Sequence, residues 1–511
     1  MNTGIETLID IPRRNAGGLI SGTAYRFGKR KYTYKKLDRL SDEFASGLAD
    51  KVGLSKGDRI ALITANCPEY VISFFGILKT AACIVPLNNF LVADEIRYIL
   101  SDSKAKAVIT DIKYYDVVKK AIMQMDSKPA IIVIGKGSKE DRDINYRSLF
   151  KRGPFEEKKV TPDDAAVIIY TSGTTGFPKG AILSHYNLVS NVKDCLEVLH
   201  VKKSDRFVII LPLFHSFTIT VCMLTPLFAG ASFALLESVR PFHRVIRAII
   251  LGRVTGFVGI PQIFHLLSEK RVPWLIRKIL KIRFCISGSA PLSEEVLKNF
   301  EKNTGLPLME GYGLSEASPV VSVNPLRGIR KIGSVGLPLK NVSIKIVDDD
   351  EKELPAGEIG EIIVKGPNVM KGYLNLKDET AKAVRGGWLF TGDIGKVDED
   401  GYLYIIDRKK DMILSHGLNV YPREIEQVLY QHPSIRDAAV VGVKDKHRGE
   451  KAVAFVTLKE GYQAKSRDLT AFCKGKLAPY KIPHTVRIEK ELPRTPTGKI
   501  LKKDIRSLME K

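Results

Sequence analysis

The sequence predicts an α/β fold: a large N-terminal domain of parallel α/β layers with a β-rich subdomain, then a small C-terminal α+β domain. Three observations predict it. Apolar runs alternate with amphipathic stretches through the first part of the chain. At Gly333 the texture changes to short runs divided by Gly, Pro and Asp. From Arg408 onward 23 Lys and Arg face 12 acids, a net charge of +11, whereas the preceding 407 residues carry +12.

The elements follow in order. RIALIT (Arg59–Thr64), KAVIT (Lys106–Thr110), AIIVIG (Ala130–Gly135), AAVIIY (Ala165–Tyr170) and FVIILP (Phe207–Pro212) are continuous apolar runs, the pattern of parallel strands buried on both faces. Tyr34–Asp50 and Pro68–Thr80 carry apolar residues at helical spacing between such strands. VSIKIVDDD, GEIGEIIVKG and DEDGYLYIID are short strands with turns, which places the β-rich subdomain at about 333–407. After Asp407 the chain alternates apolar and polar residues like a folded unit, so the expected domains are 1–407 and 408–511.

With 511 residues, 44% apolar and 27% charged, the chain can bury more than one core, and its composition excludes a collagen, a disulfide-stapled miniprotein and a disordered chain. Six cysteines without CxxC spacing point to a reducing compartment and no structural metal. The amino terminus lacks the basic-then-apolar order of a secretory signal. Phe217–Leu236 is uncharged and long enough for a bilayer, but Pro226 and the Gly230–Ser232 break make it a buried helix, a turn and a buried strand. The expected location is the cytoplasm. A net charge of +23 attracts polyanions, namely nucleic acid, anionic lipid or a phosphorylated ligand, or simply keeps the surface solvated.

YTSGTTGFPKG (Tyr170–Gly180) follows a buried strand. Its glycines remove Cβ obstruction so that backbone N–H groups can approach an anion, its hydroxyls add donors, and Lys179 adds charge. This is a polyphosphate cradle, but not a Walker A loop, because Pro178 or Ala181 falls where GxxxxGK requires glycine.

With this loop come LPLFHSF (Leu211–Phe217), SGSAPL (Ser287–Leu292), EGYGLSEASP (Glu310–Pro319), WLFTGDIG (Trp388–Gly395), IIDRKKDMILSHGLNVYPREIE (Ile405–Glu426) and PRTPTGKI (Pro493–Ile500). The series resembles the adenylate-forming superfamily of acyl-CoA synthetases, luciferases and peptide-synthetase adenylation domains, over essentially the whole chain. The resemblance implies ATP and coenzyme A as cosubstrates and Mg²⁺ as cofactor.

It also implies roles residue by residue. Thr171, Ser172, Gly173, Thr174, Thr175, Gly176 and Lys179 form the phosphate loop. Gly288, Ser289, Ala290, Glu310, Gly311, Tyr312, Gly313 and Ile405 belong to the AMP pocket, Tyr312 with its ring against adenine. Asp393 accepts from the ribose hydroxyls, and Arg408 reaches ribose or phosphate. Glu316 supplies a hard oxygen ligand for Mg²⁺, and Ser315 faces the α-phosphate where most relatives have threonine. His215 sits at the carboxylate end of the substrate pocket. Lys499 is the foremost catalytic residue, bridging substrate carboxylate and α-phosphate.

A carboxylate is a poor acyl donor until transfer to AMP provides a leaving group; a thiol then attacks the acyl-adenylate. Lys499 must withdraw first, so by resemblance the small domain is mobile, with its hinge at Lys410 and Gly417 moving to the coenzyme A channel. His416 departs from the small residue usual there. LPLFHSF lacks the aspartate that amino-acid-activating relatives carry, which argues against an amino acid substrate. The apolar and small residues of Phe217–Val221, Gly256–Gln262 and Gly288–Glu310 favour a medium- or long-chain fatty acid, with an aryl acid fitting the same set.

The competing expectations are an acyl-AMP ligase loading a carrier protein, whose usual insertion is not evident, and a non-enzymatic basic protein, which would not carry a patterned C-terminal domain. No nucleic acid partner is expected. PWLIRKILKIRF (Pro273–Phe284) interleaves bases with apolar residues, a pattern of peripheral membrane contact as well as of an ordinary surface helix. Monomer and homodimer are equally compatible with the sequence.

Overall fold

The expected βα alternation is realised as two large sheets with helices on every face. The computed structural model describes residues 4–17, 22–135, 143–151, 153, 158–171, 177–269, 272–415, 418–445, 449–494 and 500–507. One sheet orders its eight strands as Gly372–Tyr373, Lys179–Ser184, Ala165–Thr171, Cys83–Pro86, Arg59–Ile63, Ala107–Asp111, Ala130–Ile134 and Ile144–Asn145. The other orders nine as Leu337–Pro338, Val320–Val323, Leu308–Gly313, Phe284–Ser287, Gly256–Gly259, Arg206–Ile209, Ser232–Leu235, Thr23–Phe27 and Arg30–Thr33. Both are parallel at the centre, with antiparallel strands only towards their edges.

Side-chain alternation explains the layers. Ile60 and Leu62 join Phe207 and Ile209 in the core between the sheets, together with the helices Tyr34–Val52, Pro68–Lys79 and His185–Leu199. Ala61 and Ile63 face the opposite way, under the helices Ala93–Ser103 and Tyr115–Met123. Val208 and Ile210 likewise face the helices Phe242–Gly252, Pro261–Ser268 and Glu294–Thr304. The continuous apolar runs thus serve two cores at once.

Tyr34–Val52 starts where the Thr33 hydroxyl accepts from the Lys36 N–H and ends at Gly53 in the left-handed conformation. Between it and Pro68–Lys79, the fully buried Lys79 ammonium meets Asp38 and Asp42, each at 2.6 Å. Phe217–Leu236 forms a π-helical turn (Thr218–Leu224), an α-turn (Thr225–Phe228) and the strand Ser232–Leu235. The π winding accompanies Pro226, which has no N–H to give; the N–H and hydroxyl of Thr225 both donate to the Thr220 carbonyl. No helix among the described residues is long and apolar enough to cross a membrane.

The β-rich stretch differs in extent from expectation. Its antiparallel sheet comprises Ser343–Val347, Gly360–Lys365, Trp388–Val397, Val384–Arg385 and Leu403–Arg408. Leu337–Pro338 and Gly372–Tyr373 instead complete the edges of the two large sheets, which ties this subdomain to both. Beyond Arg408, the long hairpin Ile435–Asp445/Gly449–Leu458 pairs with Ile413–Ser415 and Thr485–Ile488, and Ile413–Ser415 with Leu418–Val420. Pro422–Tyr430 and Ser466–Cys473 pack on one face, and Ile505 of Lys502–Ser507 seals the other. The fold is a large N-terminal body with a small C-terminal α+β domain.

Candidate active site

In a parallel sheet the loops that leave the carboxyl ends of adjacent strands are neighbours. His215 follows Arg206–Ile209, the Gly288–Ala290 turn follows Phe284–Ser287, and Glu310–Gly313 end the next strand, with Ser287 opposite Glu310 in register. Thr171 ends its strand in the other sheet, and its hydroxyl crosses to Glu316. The two carboxyl edges therefore face one cleft.

At the phosphate end the Thr171 and Tyr373 hydroxyls donate to the same Glu316 oxygen, at 3.0 and 3.1 Å. Glu316 lies in the short turn Ser315–Ala317, and the Ser315 hydroxyl sits 3.1 Å from that of Ser216. A carboxylate with two hydroxyls forms a cluster of hard oxygen donors, the chemistry Mg²⁺ prefers. The Lys179 ammonium pairs with Glu379 and lies 5.4 Å from the centre of the Tyr373 ring. Glu379, bonded also to Lys382, is held well below the usual carboxylate range, chiefly by Lys179.

At the nucleoside end Tyr312 donates to Asp393 at 2.6 Å, and the Arg408 guanidinium pairs with the other Asp393 oxygen at 2.9 Å. Asp393 and Arg408 stand opposite each other on antiparallel strands, so strand register makes this pair. Burial, then Asp393, pushes the Tyr312 phenol far above its ordinary range. Both carboxylate oxygens are thus oriented before any ribose could approach, each keeping a further lone pair.

Two glycines are needed here by space. A Cβ on Gly313 would stand 2.1 Å from the Pro319 carbonyl oxygen, and one on Gly288 would press the Phe217 ring at 2.9 Å. Ser289 adopts φ +69°, which turns the chain sharply after the buried Ser287 and Gly288. Gly311 packs beside the Ser322 carbonyl, and Ala290 and Ile405 are half-buried.

Glu310 lies opposite Ser287 in the strand Leu308–Gly313, beside the SGSAPL turn. It is buried, and its Oε1 accepts the Leu292 N–H at 3.0 Å, so its visible work is to hold the SGSAPL turn. Burial raises its carboxyl to about 7, against the opposing field of Arg423. That arginine belongs to the small domain; its N–H and guanidinium reach the Asp407 carboxylate and the Ile405 carbonyl, at 2.7 and 2.8 Å.

Lys410 lies exposed in the tight turn Lys409–Asp411, its ammonium pushed down by desolvation and then by Arg408. Lys409 ties this turn to Asp349 and Glu361, and Arg506 of the small domain binds Asp411. His215 is partly exposed beside Phe214 at the mouth of the π-helical turn, its carbonyl accepting the Ile219 N–H. Ser172, Gly173, Thr174, Thr175, Gly176, His416, Gly417 and Lys499 lie outside the described residues. Arg494 and Ile500, which flank the Lys499 segment, are bridged to each other, and Arg494 pairs with Asp437.

Sequence reading missed Tyr373, Glu379, Ser216 and Arg423. Ser216 sits inside LPLFHSF, where its hydroxyl was the available signal. Tyr373 and Glu379 lie outside every motif and reach the site only through the edge strand Gly372–Tyr373.

Comparison with known proteins fits this geometry. The description "AMP-binding enzyme" matches residues 13–374, and "AMP-binding enzyme C-terminal domain" matches residues 424–499. A long-chain-fatty-acid–CoA ligase of Bacillus subtilis (strain 168) is 38% identical, over 98% of this chain and 94% of its own. ATP-bound MatB from Rhodopseudomonas palustris superposes with a TM-score of 0.90 at 30% identity, covering 99% of each chain. The anthranilate CoA ligase AuaEII, solved with anthranoyl-AMP, superposes at 0.91 with 28% identity, covering 99% of this chain and 97% of its own. The chain belongs to the AMP-binding enzyme family. Within it, the protein is an acid–thiol ligase that joins a carboxylic acid to coenzyme A through an adenylate.

Proposed function

We propose that the acid is a medium- or long-chain fatty acid, activated in two steps with release of pyrophosphate and then AMP. One observation carries the nucleotide part of the reading: the Thr171–Glu316–Tyr373 cluster and the Tyr312–Asp393–Arg408 chain are joined through the single segment Tyr312–Glu316. Thr171, Glu316 and Ser315 serve the phosphates, and Tyr312, Asp393 and Arg408 the nucleoside. Mg²⁺, held by Glu316, would offset phosphate charge. Lys179 exchanges Glu379 for phosphate oxygens. Lys499 enters from the small domain, neutralises the charge gathering between carboxylate and α-phosphate, and withdraws as the chain turns at Lys410, bringing Gly417 towards the thiol channel.

The fatty acid reading is supported by the apolar, partly π-helical wall after His215 and by the long-chain relative. An insoluble acid also suits peripheral membrane contact near Pro273–Phe284. An aryl acid is the second reading, supported by the likeness to the anthranilate ligase. The test is pyrophosphate release across acids from acetate to oleate plus benzoate and cinnamate, with and without coenzyme A. Highest turnover on C8–C18 acids with thioester product is expected. Turnover confined to aryl acids overturns the fatty acid assignment, and failure to form thioester with free coenzyme A favours a carrier-protein acceptor.

A further inference from the structure

Between Ser238 and Ser293 the sequence holds ten Lys and Arg and a single acid, Glu269, a net charge of +9 from 56 residues of a chain that totals +23. The fold collects much of this charge on one edge. Gly256 pairs with Phe284 and Phe207 with Gly256, all parallel, and the Arg283 N–H donates to the Thr255 carbonyl. The segments entering these three strands therefore run side by side at the amino edge of the nine-stranded sheet. They expose Arg206, Arg253, Lys278 and Lys281.

Between those charges stand two bare aliphatic side chains, Leu251 at 68% exposure and Ile279 at 59%. In the helix Phe242–Gly252, Val245 and Ile249 are buried, so His243, Arg247 and Leu251, spaced by four, line the outer face. Asp205 at this edge is buried and consumed by Arg283 at 2.6 Å, which leaves Glu269, beside His265, as the exposed acid of the stretch. Arg277 is likewise turned inward, onto the Val272 and Asn303 carbonyls. The surface seen from outside is thus cationic with apolar tips.

We infer that this amino edge docks on an anionic lipid bilayer, with Leu251 and Ile279 entering the interface and Arg206, Arg253, Lys278 and Lys281 meeting headgroup phosphates. Charge complementarity names the partner, and the aliphatic tips select a bilayer over nucleic acid, which offers no apolar phase. The catalytic cleft opens at the opposite, carboxyl edge, so docking leaves it clear for the small domain. This inference deepens the fatty acid reading by assigning the source surface of an insoluble acid, and it rests on that reading for its purpose but not for its test.

Co-sedimentation with large vesicles of 30 mol% phosphatidylglycerol in phosphatidylcholine tests it at 50 mM salt. Partitioning is expected on these vesicles, not on pure phosphatidylcholine, and is lost at 0.5 M salt. Each cation near such a surface is worth about fivefold, so Arg253→Asn, Lys278→Gln and Lys281→Gln together lower partitioning about a hundredfold. Leu251→Ser with Ile279→Ser lowers it by about tenfold or more at unchanged charge. Pyrophosphate exchange on a short soluble acid reports folding and adenylation separately and is expected unchanged in both variants. No partitioning at 50 mM salt, or partitioning indifferent to both variants, overturns the inference. So does duplex DNA bound as tightly as the vesicles and released by the charge variant alone.

Discussion

Glu310 shows how a single side chain can take a role its motif does not announce. Its carboxyl is raised from the ordinary 4.5 to about 7 while still accepting the Leu292 N–H. A proton held more tightly in the folded state stabilises the fold fully below pH 4.5, and that contribution is lost as pH rises through 7. Glu310→Gln keeps the acceptor and removes the titration. It is expected to be more stable than the parent at pH 8 by about 2 kcal/mol, with the difference closing towards pH 5, as read from urea midpoints. Lys499 is the opposite case, a residue whose proposed work is purely chemical. Lys499→Ala should lower pyrophosphate exchange by about a hundredfold or more while leaving the urea midpoint in place.

Helix pairs and strand edges carry constraints that no single motif contains. Lys79 is sealed between Tyr34–Val52 and Pro68–Lys79 with two aspartates for company. Lys79→Met would remove the ammonium that Asp38 and Asp42 share and is expected to cost about 3 kcal/mol. Adding Asp38→Asn and Asp42→Asn should restore most of it, which equilibrium unfolding checks. The edge strand Gly372–Tyr373 belongs to the same scale. By completing the eight-stranded sheet it delivers the Tyr373 hydroxyl to Glu316 and starts the turn into Lys377–Ala383, which carries Glu379 to Lys179.

For the molecule as a whole, the proposed pivot is the short turn Lys409–Asp411. Lys409 is anchored to the body, Asp411 to Arg506, and Lys410 lies between with neither tie. Lys410→Pro fixes φ near −65°, a value in the range general to 3₁₀ turns such as Lys409–Asp411, and bars others. Pyrophosphate exchange is expected to persist, while thioester formation in single-turnover assays falls by about tenfold or more. Retention of both half-reactions would place the pivot elsewhere.

The strands, the two helices flanking Arg59–Ile63 and the motif loops were legible because each depends on a local pattern: a continuous apolar run, helical spacing, glycines where backbone must come close. The residues that complete the site were not. Tyr373 is 57 positions from Glu316, Asp393 is 81 from Tyr312, and Glu379 is 200 from Lys179. The same holds for Leu337–Pro338, which reads as part of a β-rich stretch and pairs instead with Val320–Val323. Sequence alone determined the class of layers, the adenylate-forming motifs and the excess of positive charge. Tertiary structure alone decided which strand edges meet, and so which carboxylates are oriented, which are spent on backbone, and where the charge gathers. Hydrogen bonds and ion pairs depend on ångström-scale distances, and across a sheet those distances are set by register rather than by separation along the chain.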